Sequence, residues 1–269
     1  MSDVVLVEHQ GAVAIVTLNR PESLNAMSPQ LLNDLSAAGQ ALADDAAVRC
    51  VVITGAGRAF SAGGDVKAMA EGATASTGGG AGGGLLGRVD ALRQQEEISR
   101  LLYEMPKPTI AAVNGVAAGA GLSLALAADL RIASEHARFT TAFAKIGFSG
   151  DFGGTWLLQR LVGPAKAKEL YFMSEIFDAQ EAMRLGLLTK LVPHDQLMAE
   201  TMALANRLAA GPTIALGRIK DNIAHGATST LSDSLTHEAE NMIASGLTED
   251  HRNAAIAFVQ KREPQFTGR

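Results

Sequence analysis

Apolar positions recur along this chain with two periods, and the change from one to the other divides it. Residues 4–8 and 13–18 are β-rich apolar runs around His9-Gln10-Gly11, the pattern of a hairpin. Ser28-Pro29 then places an N-cap before a proline at the first helical position, and Leu31, Leu32, Leu35 and Leu42 follow at helical spacing. Residues 48–54 form a continuous apolar strand ending at Gly55. A second buried strand is expected at 109–113, a short Ala/Leu helix at 121–128 and a further strand at 130–133. Strand, turn and helix recurring in this order predict an α/β architecture with a covered sheet. From Pro164 onward the pattern turns helical, over 195–210, 213–225, 231–246 and 249–261, broken by a strand at 187–192. Residues 1–200 therefore read as a layered α/β core and 201–269 as a helical C-terminal region.

Two segments invite misreading. Residues 110–128 are almost all small or apolar and reach the length of a membrane span, but most are Ala and Gly, and Asn114, Gly115, Gly119 and Gly121 interrupt the run. It reads as strand, turn and helix, with no membrane partner. The 72–87 segment, with Gly78-Gly79-Gly80-Ala81-Gly82-Gly83-Gly84 at its centre, has too little apolar area to offset its ordering entropy. A mobile loop is expected there, either a lid or a passive insertion. It lacks the preceding strand and the Lys-Ser/Thr of a phosphate-binding loop.

Composition narrows the function. A chain of 269 residues with 47% hydrophobic residues is globular, and a net charge of -5 argues against nucleic acid or an anionic membrane face as partner. The single cysteine, Cys50, lies inside the apolar strand and can form neither an internal disulfide nor a zinc cluster. The Met-Ser-Asp start lacks a signal peptide, so a cytoplasmic setting is expected.

Three motifs fail on context. Gly119-Ala120-Gly121 lacks the third glycine of a dinucleotide fingerprint, Leu124 standing in its place. Ser123 lies inside the expected helix and not on a nucleophile turn, and the six histidines show no metal spacing. What remains is a pair of turns of one kind, Phe60-Ser61-Ala62-Gly63-Gly64-Asp65 and the run from Asn114 to Gly121, each after a buried strand. Such turns either bring two N–H donors together at a developing negative charge or are tight for steric reasons alone.

Further runs accompany them: Asn19-Arg20-Pro21 with Leu24-Asn25-Ala26, Lys107-Pro108-Thr109 leading to Asn114-Gly115, Ala127-Ala128-Asp129 and Gly153-Gly154-Thr155. In their order and spacing the chain resembles the crotonase superfamily of enoyl-CoA hydratases and isomerases across nearly its whole length. The resemblance implies a spiral of ββα units, a helical trimerisation region at the C-terminus, a homotrimer or homohexamer, and an acyl-CoA thioester substrate. No metal or redox cofactor is implied, CoA being part of the substrate. Carried over, it makes the backbone N–H groups of Gly64 and Ala120 an oxyanion hole. It places Ala62, Gly64, Asp65, Val66 and Lys67 at the CoA nucleotide, and Phe258 and Lys261 at the CoA of a neighbouring subunit.

The departures bear on the reaction. Where the hydratases carry two glutamates, this chain has Ser123 and Phe143, neither able to act as a base. Asp151 occupies a position that is an aspartate in some isomerases of the superfamily. The similarity is closest to the ring-epoxide isomerase type, in the runs 114–121, 153–158 and 264–268. Gly150 stands where those isomerases usually have proline. One carboxylate suffices to move a proton between two carbons while an enolate is held, and Phe148, Phe152 and Phe143 are expected to desolvate it. The expected function is acyl-CoA isomerisation, by double-bond migration or ring-epoxide opening. The alternatives are a hydratase using Asp151 with Glu71 or Glu104, an acyl-CoA binding protein, a hydrolase centred on Ser123, and Asp151 as a mere helix cap.

Overall fold

The computed structural model describes residues 3–65 and 84–269. Along the chain run β1 (Val5–Gln10), β2 (Val13–Leu18), α1 (Pro29–Asp44), β3 (Cys50–Gly55), β4 (Ala59–Ser61), α2 (Leu85–Gln95), α3 (Glu97–Glu104), β5 (Thr109–Val113), β6 (Val116–Ala118) and α4 (Ala120–Ala127). They are followed by β7 (Leu130–Ser134), β8 (Arg138–Thr140), α5 (Gly154–Met173), β9 (Phe177–Asp178), α6 (Ala179–Arg184) and β10 (Lys190–Val192). Helices α7 (Leu197–Ala209), α8 (Thr213–Gly226), α9 (Leu231–Gly246) and α10 (Glu249–Val259) close the chain.

The longer strands build a six-stranded sheet ordered β1-β2-β3-β5-β7-β10, and the short ones a four-stranded sheet ordered β4-β6-β8-β9. In the first sheet only the β1–β2 hairpin is antiparallel. β3, β5 and β7 are each followed within a few residues by a short strand of the second sheet. A helix comes next in chain order, so the ββα unit repeats.

The strands of this sheet read as unbroken apolar runs because both faces are covered. Val51 and Ile53 of β3 join Leu31 and Leu35 of α1 and Phe60 and Phe139 of the second sheet. Cys50 and Val52 point the other way, onto Ile110, Ile132 and Leu197 and Ala205 of α7. Each large side chain so buried contributes about 1.5–3 kcal/mol. Burial pushes the Cys50 thiol up to about 12, so it stays protonated and inert at neutral pH. The expected cap of α1 is formed: Ser28 Oγ accepts from the Leu31 N–H at 3.2 Å.

One buried cation ties the layers together. Arg131 of β7 donates through Nε to the Leu187 carbonyl at 2.6 Å and through Nη1 to the Ala128 carbonyl at 2.6 Å and the Leu126 carbonyl at 3.3 Å. The latter two sit at the C-terminal end of α4, where a cation also meets the negative end of the helix dipole. Burial lowers the guanidinium to about 10, which still leaves it charged at neutral pH. Arg131→Met should therefore strand three carbonyls and lower the unfolding free energy by about 3 kcal/mol or more, read from the urea midpoint.

Several boundaries differ from expectation. The helix expected from Pro164 begins at Gly154, and Gly163 (φ 77, ψ 158) kinks it where Pro164 removes an amide. The strand expected over 187–192 is confined to Lys190–Val192. Residues 110–128 resolve into β5, β6 and α4, and among the described residues no helix is long and apolar enough to cross a membrane. Most of the 72–87 segment lies outside the described residues, but Gly84 is the N-cap of α2, whose first residues were expected to be loop. Beyond α10, the tail is fastened: Asp250 accepts from the Thr267 and Gly268 N–H groups at 2.6 and 2.9 Å, and Arg49 donates to the Phe266 carbonyl at 2.9 Å.

Candidate active site

Parallel pairing of β4 with β6 carries the two glycine turns into contact. A Cβ at Gly63 would stand 2.5 Å from the Ala118 carbonyl oxygen and 3.1 Å from Ala120 N, and one at Gly121 would stand 2.3 Å from the Ser61 carbonyl oxygen. Side chains at either position would force the turns apart. Gly63 also has φ +84, in the left-handed region that other residues resist. Gly64 is held by a parallel bridge to Met27, whose N–H donates to the Gly63 carbonyl at 2.8 Å. Ala120 is the first residue of α4, where an N–H has no acceptor within its own helix. The turns are thus brought together as the sequence pattern suggested.

Two asparagines do the holding. Asn25 Nδ2 donates to the Ala56 and Ala59 carbonyls at 2.9 and 2.8 Å, and Asn114 Nδ2 donates to the Gly55 and Gly57 carbonyls at 2.9 and 2.8 Å. Both clamp the stretch that leads into Gly63-Gly64-Asp65. In the sequence they are only members of motifs, and their positioning role becomes visible when the fold places them on one loop. Arg20 adds to it, with Nη1 on the Ala26 carbonyl at 2.6 Å and Nη2 3.5 Å from the Asp65 carboxylate.

Asp151 sits in the loop before α5. Its Oδ1 is shut off from solvent and has no hydrogen-bond partner among the described residues. Burial, and secondarily the negative charge of Glu96, pushes the carboxyl up to about 7. The side chain is not the cap of α5: Gly153 is the N-cap and makes no side-chain cap bond, while the Asp151 backbone carbonyl accepts from the Gly154 N–H at 3.0 Å. Of the three phenylalanines expected to enclose it, Phe143 and Phe152 are buried and Phe148 is 44% exposed.

The residues at the glutamate positions of the hydratases lie nearby. Ser123 is buried within α4, its Oγ 3.3 Å from the Gly119 carbonyl, and it hydrogen-bonds to Tyr171 of α5. A Cβ at Gly154 would come 2.2 Å from Ser123 Oγ, so glycine there lets α5 start against α4. The Phe143 ring stacks on Tyr171 at 6.0 Å. Burial pushes the Tyr171 phenol up to about 12, and the Asp151 charge adds to that rise. Ser123 on its helix is no nucleophile turn, as its spacing implied. Glu104 is paired with Arg100 on the surface, and Glu71 lies outside the described residues. The carboxylate that reaches the Asp151 loop is Glu96, which no sequence signal marked.

Of the positions carried over for CoA, Ala62 is half-buried and its N–H donates to the Leu24 carbonyl at 2.9 Å, and Asp65 is half-buried against Arg20. Val66 and Lys67 lie outside the described residues. Phe258 is 84% exposed in the last turn of α10, with its carbonyl accepting from the Lys261 N–H at 3.1 Å. A cavity of about 370 Å³ lined by Phe148, Ser149, Thr155, Lys168 and Tyr171 adjoins the Asp151 loop. A larger one of about 760 Å³, lined by Trp156, Ile219 and the Asp129–Lys220 ion pair among others, includes none of the expected site residues. Among the described residues no group of His, Cys, Asp and Glu could hold a metal ion.

Known proteins resemble this chain over its whole length. The family model for enoyl-CoA hydratase/isomerase matches residues 8–269. The 1,2-epoxyphenylacetyl-CoA isomerase of Escherichia coli K12 is 38% identical over all of both chains. The short-chain-enoyl-CoA hydratase of Clostridium acetobutylicum is 36% identical over 96% of this chain and 95% of its own. Among solved structures, the enoyl-CoA hydratase of Bacillus anthracis superposes with a TM-score of 0.89 at 31% identity, covering 99% of this chain and 100% of that one. On its motifs, its ββα repeat and these matches, the chain belongs to the enoyl-CoA hydratase/isomerase family.

Proposed function

We propose that the protein is an acyl-CoA isomerase in which Asp151 shuttles a proton and the Gly64 and Ala120 amides hold the thioester enolate. The observation that carries this reading is the half-buried Asp151 carboxyl, whose Oδ1 is shut off from solvent without a partner among the described residues, linked through Tyr171 to Ser123 and Phe143. For a 3-enoyl thioester, the ionised carboxylate takes the proton from C2. The electron pair moves through C2 into the carbonyl, and the oxygen's charge is met by two backbone N–H groups. The protonated Asp151 then returns the proton at C4, leaving the 2-enoyl product. A carboxyl titrating at about 7 is present in both forms near neutral pH, as a group that must both take and give a proton requires. Each donor of such a pair is typically worth about 10²–10³ in rate. The reaction needs no metal or redox cofactor, and CoA enters with the substrate, as it would for a ring epoxide.

The exposed apolar residues of the C-terminal helices, Ile223 of α8, Met242 and Ile243 of α9 and Phe258 of α10, support assembly as a homotrimer or homohexamer. Hydration is the second reading. It is favoured by the hydratase name of the Clostridium relative and by the second carboxylate, Glu96, at the Asp151 loop.

Proton exchange in D₂O, followed by NMR on a 3-enoyl-CoA, separates the readings. Isomerisation puts deuterium at the α and γ carbons as the double bond migrates. Rapid addition of water to crotonyl-CoA without exchange into the 3-enoyl thioester would replace this proposal with the hydratase reading, and thioester binding without any turnover would leave a binding protein.

A further inference from the structure

Glu96 stands at the junction of α2 and α3, yet its side chain acts on a distant loop: Oε1 accepts from the Phe152 N–H at 3.0 Å. That peptide is in need of an anchor. Phe152 has φ 50, a left-handed conformation for a bulky residue, and it lies between Gly150 at φ 116 and Gly153 at φ 72. Asp151 is one residue away, and its Oδ1 has no donor to hold it among the described residues. The backbone on either side is thus one determinant of where that carboxyl points.

We propose that Glu96 is a positioning residue for Asp151, its carboxylate anchoring the Phe152 peptide and so fixing where the Asp151 carboxyl points. The consequence for rate rests on the isomerase reading above; the anchoring itself does not. The charge of Glu96 has a second effect. After burial, it is the other cause that keeps the Asp151 carboxyl near 7. The remaining titratable group coupled to Asp151 among the described residues is Tyr171 of α5, which stays neutral over the working range because burial holds it near 12.

The test compares Glu96→Gln and Glu96→Ala, with the Asp151 carboxyl followed by ¹³C NMR in protein labelled at the aspartate carboxyl carbon and assigned by its absence in Asp151→Asn. Glu96→Gln keeps an acceptor for the Phe152 N–H and loses the charge. The Asp151 midpoint should fall by about one unit while the rate plateau stays within a few-fold. Glu96→Ala loses both, and kcat should fall about 10- to 100-fold with KM little changed, since the amides that meet the thioester are untouched. An unchanged kcat in a folded Glu96→Ala, or a Glu96→Gln plateau as low as that of Glu96→Ala, overturns the proposal. If Glu96→Ala does not fold, Glu96→Met, which fills similar space without an acceptor for the Phe152 N–H, takes its place under the same kcat criterion. In an enzyme that moves no double bond, an Asp151 carboxyl line displaced further in Glu96→Ala than in Glu96→Gln would uphold the anchoring and sink the isomerase reading instead.

Discussion

Asp151→Asn should abolish double-bond migration, with kcat down by about 10³-fold or more, and at the same time make the protein harder to unfold at pH 8. The first half follows from the shuttle, since an amide of the same shape neither takes nor returns the proton, and general acid–base groups are worth about 10²–10⁴. Thioester binding should survive, because the two backbone amides stay in place. The second half follows from the carboxyl being raised to about 7 in the folded protein from an ordinary 3.8. Between those values the folded state holds a proton that the unfolded chain releases. The protonated carboxyl therefore costs the fold nothing below about pH 4, and stability falls as pH climbs through 7. At pH 8 the ionised, enclosed Asp151 costs at most about 4 kcal/mol, which asparagine avoids. Calorimetry of both proteins at pH 8 and pH 4 checks this. The variant should melt higher at pH 8 and at nearly the same temperature at pH 4; an Asp151→Asn enzyme of full rate would remove the residue from the mechanism.

Gly63→Ala should cost about 10²–10³ in kcat through geometry alone. The new methyl would sit 2.5 Å from the Ala118 carbonyl oxygen, and the φ of +84 adds backbone strain. Relief requires the Gly63-Gly64 turn to back away from the start of α4, which would separate the two amides proposed to hold the enolate oxygen. Gly11→Ala is the matched control: φ is +61 there too, but nothing lies within 4 Å of the new methyl. It should lose about 1 kcal/mol of stability and keep its kcat. Unfolding midpoints and steady-state rates on the same preparations separate the two effects, and equal rates for both variants would show that the contact between the turns does not matter to catalysis.

Much of this was readable from residues. The Ser28-Pro29 cap, the apolar runs at β2, β3 and β5 and the four closing helices follow local periodicity and capping, which need no tertiary information. The short strands β4, β6, β8 and β9 were not foreseen, because two or three residues are too few to show a period. The start of α5 was signalled only by the alternative of Asp151 as a helix cap, and the need for Gly154 where α5 meets Ser123 shows only in the fold. For the candidate site, the motif runs pointed to the paired turns and to Asp151. The holders, Asn25, Asn114 and Glu96, act on loops far away in the sequence, so their function exists only after folding.

The donor pair proposed here consists of peptide groups, and this has an evolutionary side. Any residue except proline supplies an N–H, so the identities at positions 64 and 120 can drift without removing the donors. The constraint falls instead on what keeps the turns together, Gly63, Gly121 and the asparagine clamps. Under the proposed mechanism, chemistry is then reassigned by exchanging a few side chains, such as Ser123, Phe143 and Asp151, with no rebuilding of the scaffold. Whole-chain identity would then weigh the handful of residues that set the reaction no more than any others.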